Sequence, residues 1–194
     1  MTPRGRGPTG LSMATPPFLA PERAADASLA DTLIERAFGP GRYAKAAERT
    51  REGNQPITEL SFMAWIDDRA VGCVRLWPIT IGETSALLLG PIAVAEAERS
   101  RGIGAALVRR ACDAALTAGH RLVLLVGDEA YFGEFGFAAA AARDVRLPGP
   151  VDRNRVLAKA LVRGAADGLA GLARPAPPVH TPTHPAWLRA AVAS

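Results

Sequence analysis

Six residues near the middle of the chain, Arg99-Ser-Arg-Gly102-Ile-Gly104, set two cations, a hydroxyl and two glycines shortly after the apolar run Leu87-Leu-Leu-Gly-Pro-Ile-Ala-Val94. That order suits an anion. A strand delivers the chain to a tight turn, the glycines keep side chains off the backbone, and a following helix aims its unpaired N–H groups at the turn. The chemistry expected of such a cradle is the binding of a pyrophosphate by backbone donors, with Arg99 and Arg101 adding charge and Ser100 a hydroxyl.

The elements that must position the cradle are legible on either side of it. Ile103, Leu107, Ala111 and Ala115 recur every fourth residue, with Val108, Cys112 and Leu116 beside them, which predicts an amphipathic helix. Gly119 suits its C-terminal end. Arg121-Leu-Val-Leu-Leu-Val126, bounded by Gly127, reads as a buried strand, so the helix is a crossover between parallel neighbours. Other phosphate cradles do not fit. A dinucleotide fingerprint wants a third glycine near Leu107, and a nucleotide P-loop wants Gly-Lys-Ser/Thr; here Ala105-Ala106-Leu107 follows Gly104.

Beyond the second strand comes Tyr131-Phe-Gly-Glu-Phe-Gly136-Phe137. Taken with Arg99-x-x-Gly102-x-Gly104 after Gly90-Pro-Ile-Ala-Val94, this pattern resembles the GNAT family of N-acetyltransferases, and within it the YhbS-like branch. The resemblance covers roughly Phe18 to Leu172, with the specific motifs confined to Leu87 to Phe137. It implies an α/β fold (α+β mixed sheet) whose parallel middle strands splay apart, with helices on both faces. It also implies direct transfer of an acetyl group from acetyl-CoA, as co-substrate, to an amine, without a metal or a covalent enzyme intermediate. Position by position, Arg99, Ser100, Arg101, Gly102, Ile103, Gly104 and Ala105 match the family's pyrophosphate loop. Backbone groups of Ile92, Ala93 and Val94 would bond the pantetheine arm. Gly90-Pro91 is where the strand irregularity is expected, because proline cannot donate to a ladder and glycine weakens a strand interior.

Two departures from the family pattern bear on catalysis. The Leu87 strand carries no carboxylate where many relatives place a glutamate, so a general base is expected elsewhere: Asp128 and Glu129 first, ahead of Glu59 and Glu83. The position of the family's usual tyrosine acid is Phe132, and Tyr131 stands one place earlier, about 100° round a helix. Tyr131, Asp128 and Glu129 are therefore the candidate catalytic residues, with packing or substrate contact as the alternative for Tyr131. The same departures keep open a second class, a non-catalytic acyl-CoA-binding protein or sensor on the same fold.

Composition narrows the setting. At 194 residues and a net charge of +4, the chain fits one domain plus tails, and its arginines are spread without a dense cluster, which argues against nucleic acid as partner. Cys73 and Cys112 fall in packed elements, which argues against disulfides or a thiolate metal site and fits a cytoplasmic protein. No run approaches the ~20 apolar residues of a membrane span. The expected partners are acetyl-CoA and an amine acceptor, with a homodimer left open.

Residues 1–17 read as a disordered tail, with Met13 an alternative start; residues 18–172 as the domain; and residues 173–194 as a second, Pro-rich tail. His180 and His184 have metal-like spacing, but Pro182 between them prevents a shared helix face. Within the domain, Asp26 is expected to cap a helix carrying Leu29, Leu33, Ile34, Ala37 and Phe38 inward up to Gly39-Pro40. A short helix is expected over Tyr43 to Arg51, and the resemblance implies that the segment from Phe38 to Gly53 walls the acceptor side; its Arg42, Tyr43, Lys45, Glu48 and Arg49 select no substrate class. Leu60 to Ile66, Val71 to Ile81 and the Leu87 strand form an antiparallel meander, and Ala138 to Leu147 and Arg155 to Val162 are read as final strands.

Overall fold

The computed structural model describes residues 16–40 and 46–176. Eight strands form one mixed sheet: β1 (Phe18–Pro21), β2 (Phe62–Ile66), β3 (Arg69–Ile81), β4 (Thr84–Val94), β5 (Leu122–Val126), β6 (Asp144–Arg146), β7 (Val156–Ala160) and β8 (Ala170–Pro175). The main path runs β1-β2-β3-β4-β5-β7, antiparallel except for the β4–β5 pair. Strand β3 is long enough to serve two partners on one side, β2 along its first half and β8 at Ile79–Ile81.

Alternation sorts the strands' side chains onto two faces. Helix α3 (Ile103–Thr117) buries Ile103, Leu107, Val108, Ala111, Cys112 and Ala115 on the face that includes Phe62, Val74, Leu76, Leu87, Leu89, Val123 and Leu125. The opposite face takes helix α1 (Ala27–Phe38), whose Ala30, Leu33 and Ile34 meet Met63, Cys73 and Ala93. Leu29 and Phe38, expected to point inward, are 44% and 41% exposed. Each lies about 90° from the centre of the apolar stripe, at the limit of what a sheet can cover. Asp26 stands before α1, but its carboxylate receives the backbone N–H and guanidinium of Arg23 and caps nothing in the helix.

The chain after β5 departs most from its expected form. Only Asp144–Arg146 of the expected strand Ala138 to Leu147 is extended, because Ala140–Ala142 closes into a 3-10 turn. Strand β8 was not expected, and it runs through the boundary placed after Leu172: Ala173 is fully buried, and Pro175 lies opposite Ile79. The sequence Ala-Gly-Leu-Ala-Arg-Pro has no period-2 signal, and a proline is tolerated there because it sits at a strand end. The short helix α2 is Ala46–Arg49; Arg42, Tyr43 and Lys45, the tail before Thr15, and His180 with His184 lie outside the described residues.

Charge is buried where β1, β3 and α1 meet. Arg75 of β3 gives Glu22 a bidentate pair, Nε to Oε2 at 2.9 Å and Nη2 to Oε1 at 2.6 Å, and reaches Asp31 Oδ1 at 2.7 Å and the Ala27 carbonyl at 3.2 Å. Burial opposes the cation, but the bonds to Glu22 and Asp31 outweigh it and raise the guanidinium pKa further. Replacing one member strands the other. Arg75→Met is expected to cost about 3 to 5 kcal/mol in urea unfolding, since it leaves the Glu22 carboxylate buried without its partner.

Both cysteines are free and buried, and burial pushes the Cys73 thiol up to about 12 and the Cys112 thiol up to about 11. Neither is a nucleophile at neutral pH. At pH 8 the folded protein should give no fast reaction with Ellman's reagent, and both thiols should react once guanidinium unfolds it.

Candidate active site

The parallel pair at the centre of the sheet is brief. Strands β4 and β5 are in register only at Leu87↔Val123 and Leu88↔Leu124; beyond them the strands part. The cause lies in β4, where Val74 faces Ile92 but Leu76 faces Leu89, so Gly90 and Pro91 stand together opposite Arg75 alone. Such a bulge bends its strand and breaks the ladder. Gly90 has φ +121°, a backbone state that side-chain-bearing residues rarely adopt, and Pro91 has no N–H to give. The splay and its position at Gly90-Pro91 agree with the sequence expectation.

The parting opens a cavity of about 670 Å³. Leu89, Gly90, Pro91 and Ile92 form one wall and Leu125, Val126, Gly127 and Asp128 the other. Helix α4 (Glu129–Phe132) closes one side with Tyr131 and Phe132. Phe38, Ala47, Glu48 and Arg51 close the other, with Pro150–Asp152 and Arg155 at the rim.

Beyond the far end of β4 lie the tight turn and helix N-terminus of the expected cradle. Ser100 at φ +63° and Gly102 at φ +77° turn the chain sharply into α3, whose first N–H groups have no helical partner. A Cβ at Gly102 would meet nothing within 4 Å, so the space over the turn is open to a ligand. The two arginines are placed differently from one another. Arg101 is ion-paired to Glu98, which is itself buried and also reaches Arg69 at 3.3 Å, while Arg99 is exposed and its Nε lies 3.4 Å from the Val94 carbonyl. With Arg101 paired to Glu98, the positive features left at the turn are the exposed Arg99, the first N–H groups of α3 and the helix dipole.

Helix α4 brings the three catalytic candidates to the end of β5. Its ring Phe132 lies over Gly127, where an added Cβ would fall 2.3 Å from Phe132 Cε2. Tyr131 packs edge-on against Phe132 and Phe135, with centroids 4.9 Å and 5.5 Å away, and its hydroxyl crosses to α3, 3.2 Å from where a Gly104 Cβ would stand. Gly104 thus makes room for the Tyr131 hydroxyl. Burial, then the nearby Glu134 carboxylate, raises the phenol's pKa above its ordinary value, with Arg109 opposing. The hydroxyl therefore stays protonated at neutral pH.

Asp128 Oδ1 accepts the Ala130 N–H at 3.0 Å as the cap of α4, and Glu129 Oε1 accepts the Ala139 N–H at 3.0 Å. Asp128 lines the main cavity, whereas Glu129 lines a smaller adjoining recess with Asp128, Asp152, Asn154 and Arg155. Of the residues predicted from sequence, Ile92, Asp128 and Tyr131 share the main cavity, and Arg99 to Ala105 form the separate cradle beyond Val94. Sequence reasoning missed Arg51, Pro150–Asp152 and Arg155. No motif singles them out within their segments, and only the fold brings them to the cavity.

Comparison with known proteins places this architecture. The model of the Acetyltransferase (GNAT) family matches residues 28–137. A curated relative, the uncharacterized N-acetyltransferase YhbS of Escherichia coli K12, is 29% identical over 150 residues, which span 76% of this chain and 89% of the relative. The crystal structure of the GNAT family N-acetyltransferase YhbS from Escherichia coli in complex with CoA aligns with a TM-score of 0.71 at 26% identity, covering 88% of this chain and 94% of that one. A GNAT family acetyltransferase from Brucella melitensis in complex with acetyl-CoA aligns with a TM-score of 0.53 at 27% identity, covering 78% of this chain and 98% of that one. A family match over more than half the chain, running from α1 through the splayed strands and the cradle to Phe137, means that the protein belongs to the GNAT family of acetyltransferases.

Proposed function

We propose that the protein moves an acetyl group from acetyl-CoA to the amine of a small molecule or of an accessible peptide chain. The observation that carries this reading is the continuity of three features: the bulge at Gly90-Pro91, the stretch Ile92 to Val94, which pairs with β3 and has no partner on the β5 side, and the turn at Arg99 to Ala105. A pyrophosphate on the N–H groups of Gly102, Ile103 and Gly104 directs a pantetheine arm along Ile92, Ala93 and Val94. That path ends with the thioester at the bulge. The acceptor then enters from the side of Phe38, Glu48 and Arg51, opposite α4.

Most of the rate comes from holding amine and thioester together, an effect worth about 7 to 11 kcal/mol in well-oriented systems. Backbone N–H groups flanking Pro91 face the developing oxyanion. As the amine nitrogen bonds to the carbonyl carbon, its proton passes to Asp128, directly or through water; the carboxylate keeps its second oxygen for this while Oδ1 caps α4. The C–S bond then breaks, and the departing thiolate takes a proton through water from Tyr131, the one hydroxyl-bearing side chain among the described residues lining the cavity, whose hydroxyl lies toward Gly104. Glu129 braces the Ala139 backbone and so holds α4 in place. The buried, unpaired thiols suit a reducing cytoplasm.

Two substitutions test the parts separately. Gly104→Val drives a side chain toward the Tyr131 hydroxyl and over the anion site, so calorimetry should find acetyl-CoA binding weakened at least about tenfold in a protein that still melts cooperatively. Tyr131→Phe should lower kcat by about 10-fold to 100-fold with little change in KM for acetyl-CoA, measured as CoA release with a panel of amines. Its raised pKa sets the sign of the Tyr131 contribution: the phenol donates below that pKa, so the limb of wild-type activity that Tyr131 controls lies on the alkaline side, above the ordinary tyrosine value, and the variant should lose that alkaline limb.

A further inference from the structure

Trp77 of β3 stands behind the cavity, outside the residues that line it, and its indole N–H donates to the Gly90 carbonyl at 2.7 Å. This bond answers a need that the bulge creates. Gly90 is buried, and the register slip leaves Gly90 and Pro91 facing Arg75, whose guanidinium is already committed to Glu22, Asp31 and the Ala27 carbonyl. A buried carbonyl at a broken ladder needs a donor from elsewhere, and an indole N–H, which donates only, meets that need without competing for the strand's N–H groups. The ring is held in its turn. It packs half-buried against the cluster of Ile79, Ile81, Ala86 and Leu88, and the Arg51 guanidinium lies 5.9 Å from its centroid.

We infer that Trp77 is a positioning residue for the acetyl group. By drawing the Gly90 carbonyl toward β3, it fixes the peptide plane at the bulge, and with it the direction of the N–H groups beside Pro91 that meet the thioester oxygen. Its influence falls on the acetyl end of acetyl-CoA and not on the nucleotide end, because the cradle at Gly102 lies beyond Val94, four residues or about 13 Å along β4 from Gly90. This inference rests on the reading of the cavity given above. It adds a residue that touches neither substrate.

The test is a ratio. Binding of CoA and of acetyl-CoA is measured by calorimetry for the full chain and for Trp77→Phe, which keeps a ring and removes the N–H. Losing this one hydrogen bond should weaken acetyl-CoA about 3-fold to 10-fold while CoA stays within about twofold of wild type. A second variant carrying 3-benzothienylalanine at position 77 keeps the size of the indole and lacks only the donor; it should give the same pattern, and it decides the matter if Trp77→Phe does not fold. Equal weakening of both ligands, or no change in either, overturns the positioning role. A wild-type protein that binds neither ligand overturns the acetyltransferase reading itself, and that result is distinct from the other two.

Discussion

The structure turns on one constraint: β4 cannot remain paired with β5 past Leu88, because Gly90 and Pro91 break its ladder. Backbone N–H and C=O groups buried in a sheet must find partners. On the β3 side Trp77 supplies one, to the Gly90 carbonyl. On the β5 side the strands separate, and Leu89 to Ile92 line a cavity of about 670 Å³. An extended arm carrying amides of its own is the kind of ligand that can satisfy such a strand.

The rest of the fold holds that gap open. Parallel strands need a crossover, and α3 supplies it, packing Ile103 and Leu107 under β4 and setting its N-terminus at the end of the gap. Strand β7 pairs with β5 from Leu122 to Val126, so β5 does not depend on β4 for its ladder. On the other side of the cavity, where Phe38 ends it, α1 is held by packing on Met63, Cys73 and Ala93 and by the cluster of Arg75, the β3 residue opposite the bulge, which ties β1, β3 and α1 together. The pairing of Glu98 with Arg101 and Arg69 fixes the loop before the cradle while lowering its net charge. Anion binding there, as proposed, would rest on geometry more than on side-chain charge.

Much of this was legible in the sequence because it depends on local rules. The period of Ile103, Leu107, Ala111 and Ala115, the order of strand, glycine loop and helix, and the Gly-Pro pair inside an apolar strand each have a backbone reason that needs no tertiary context. What was not legible depends on distant partners. Strand β8 has no alternation, and it forms because the end of β3 beyond β2 offers an unpaired edge. Three alanines at Ala140–Ala142, read as strand, fold into a 3-10 turn that presses Ala142 into the second cluster. Asp26 looks like a helix cap, yet Arg23 three residues earlier takes its carboxylate. The roles of Trp77, Arg51 and Arg155 follow from which strand ends meet at the cavity, and no spacing in the chain announces that.

Hydrogen–deuterium exchange read with and without acetyl-CoA tests the central claim most directly, since the claim is that a parted strand and a helix N-terminus present their backbone amides to one ligand. The account predicts slowed exchange on ligand addition in two separate stretches, Ile92 to Val94 and Gly102 to Ala105, with the α1 core at Ala30 to Ile34 unchanged. Slowing confined to one stretch, or spread evenly over the domain, would contradict it.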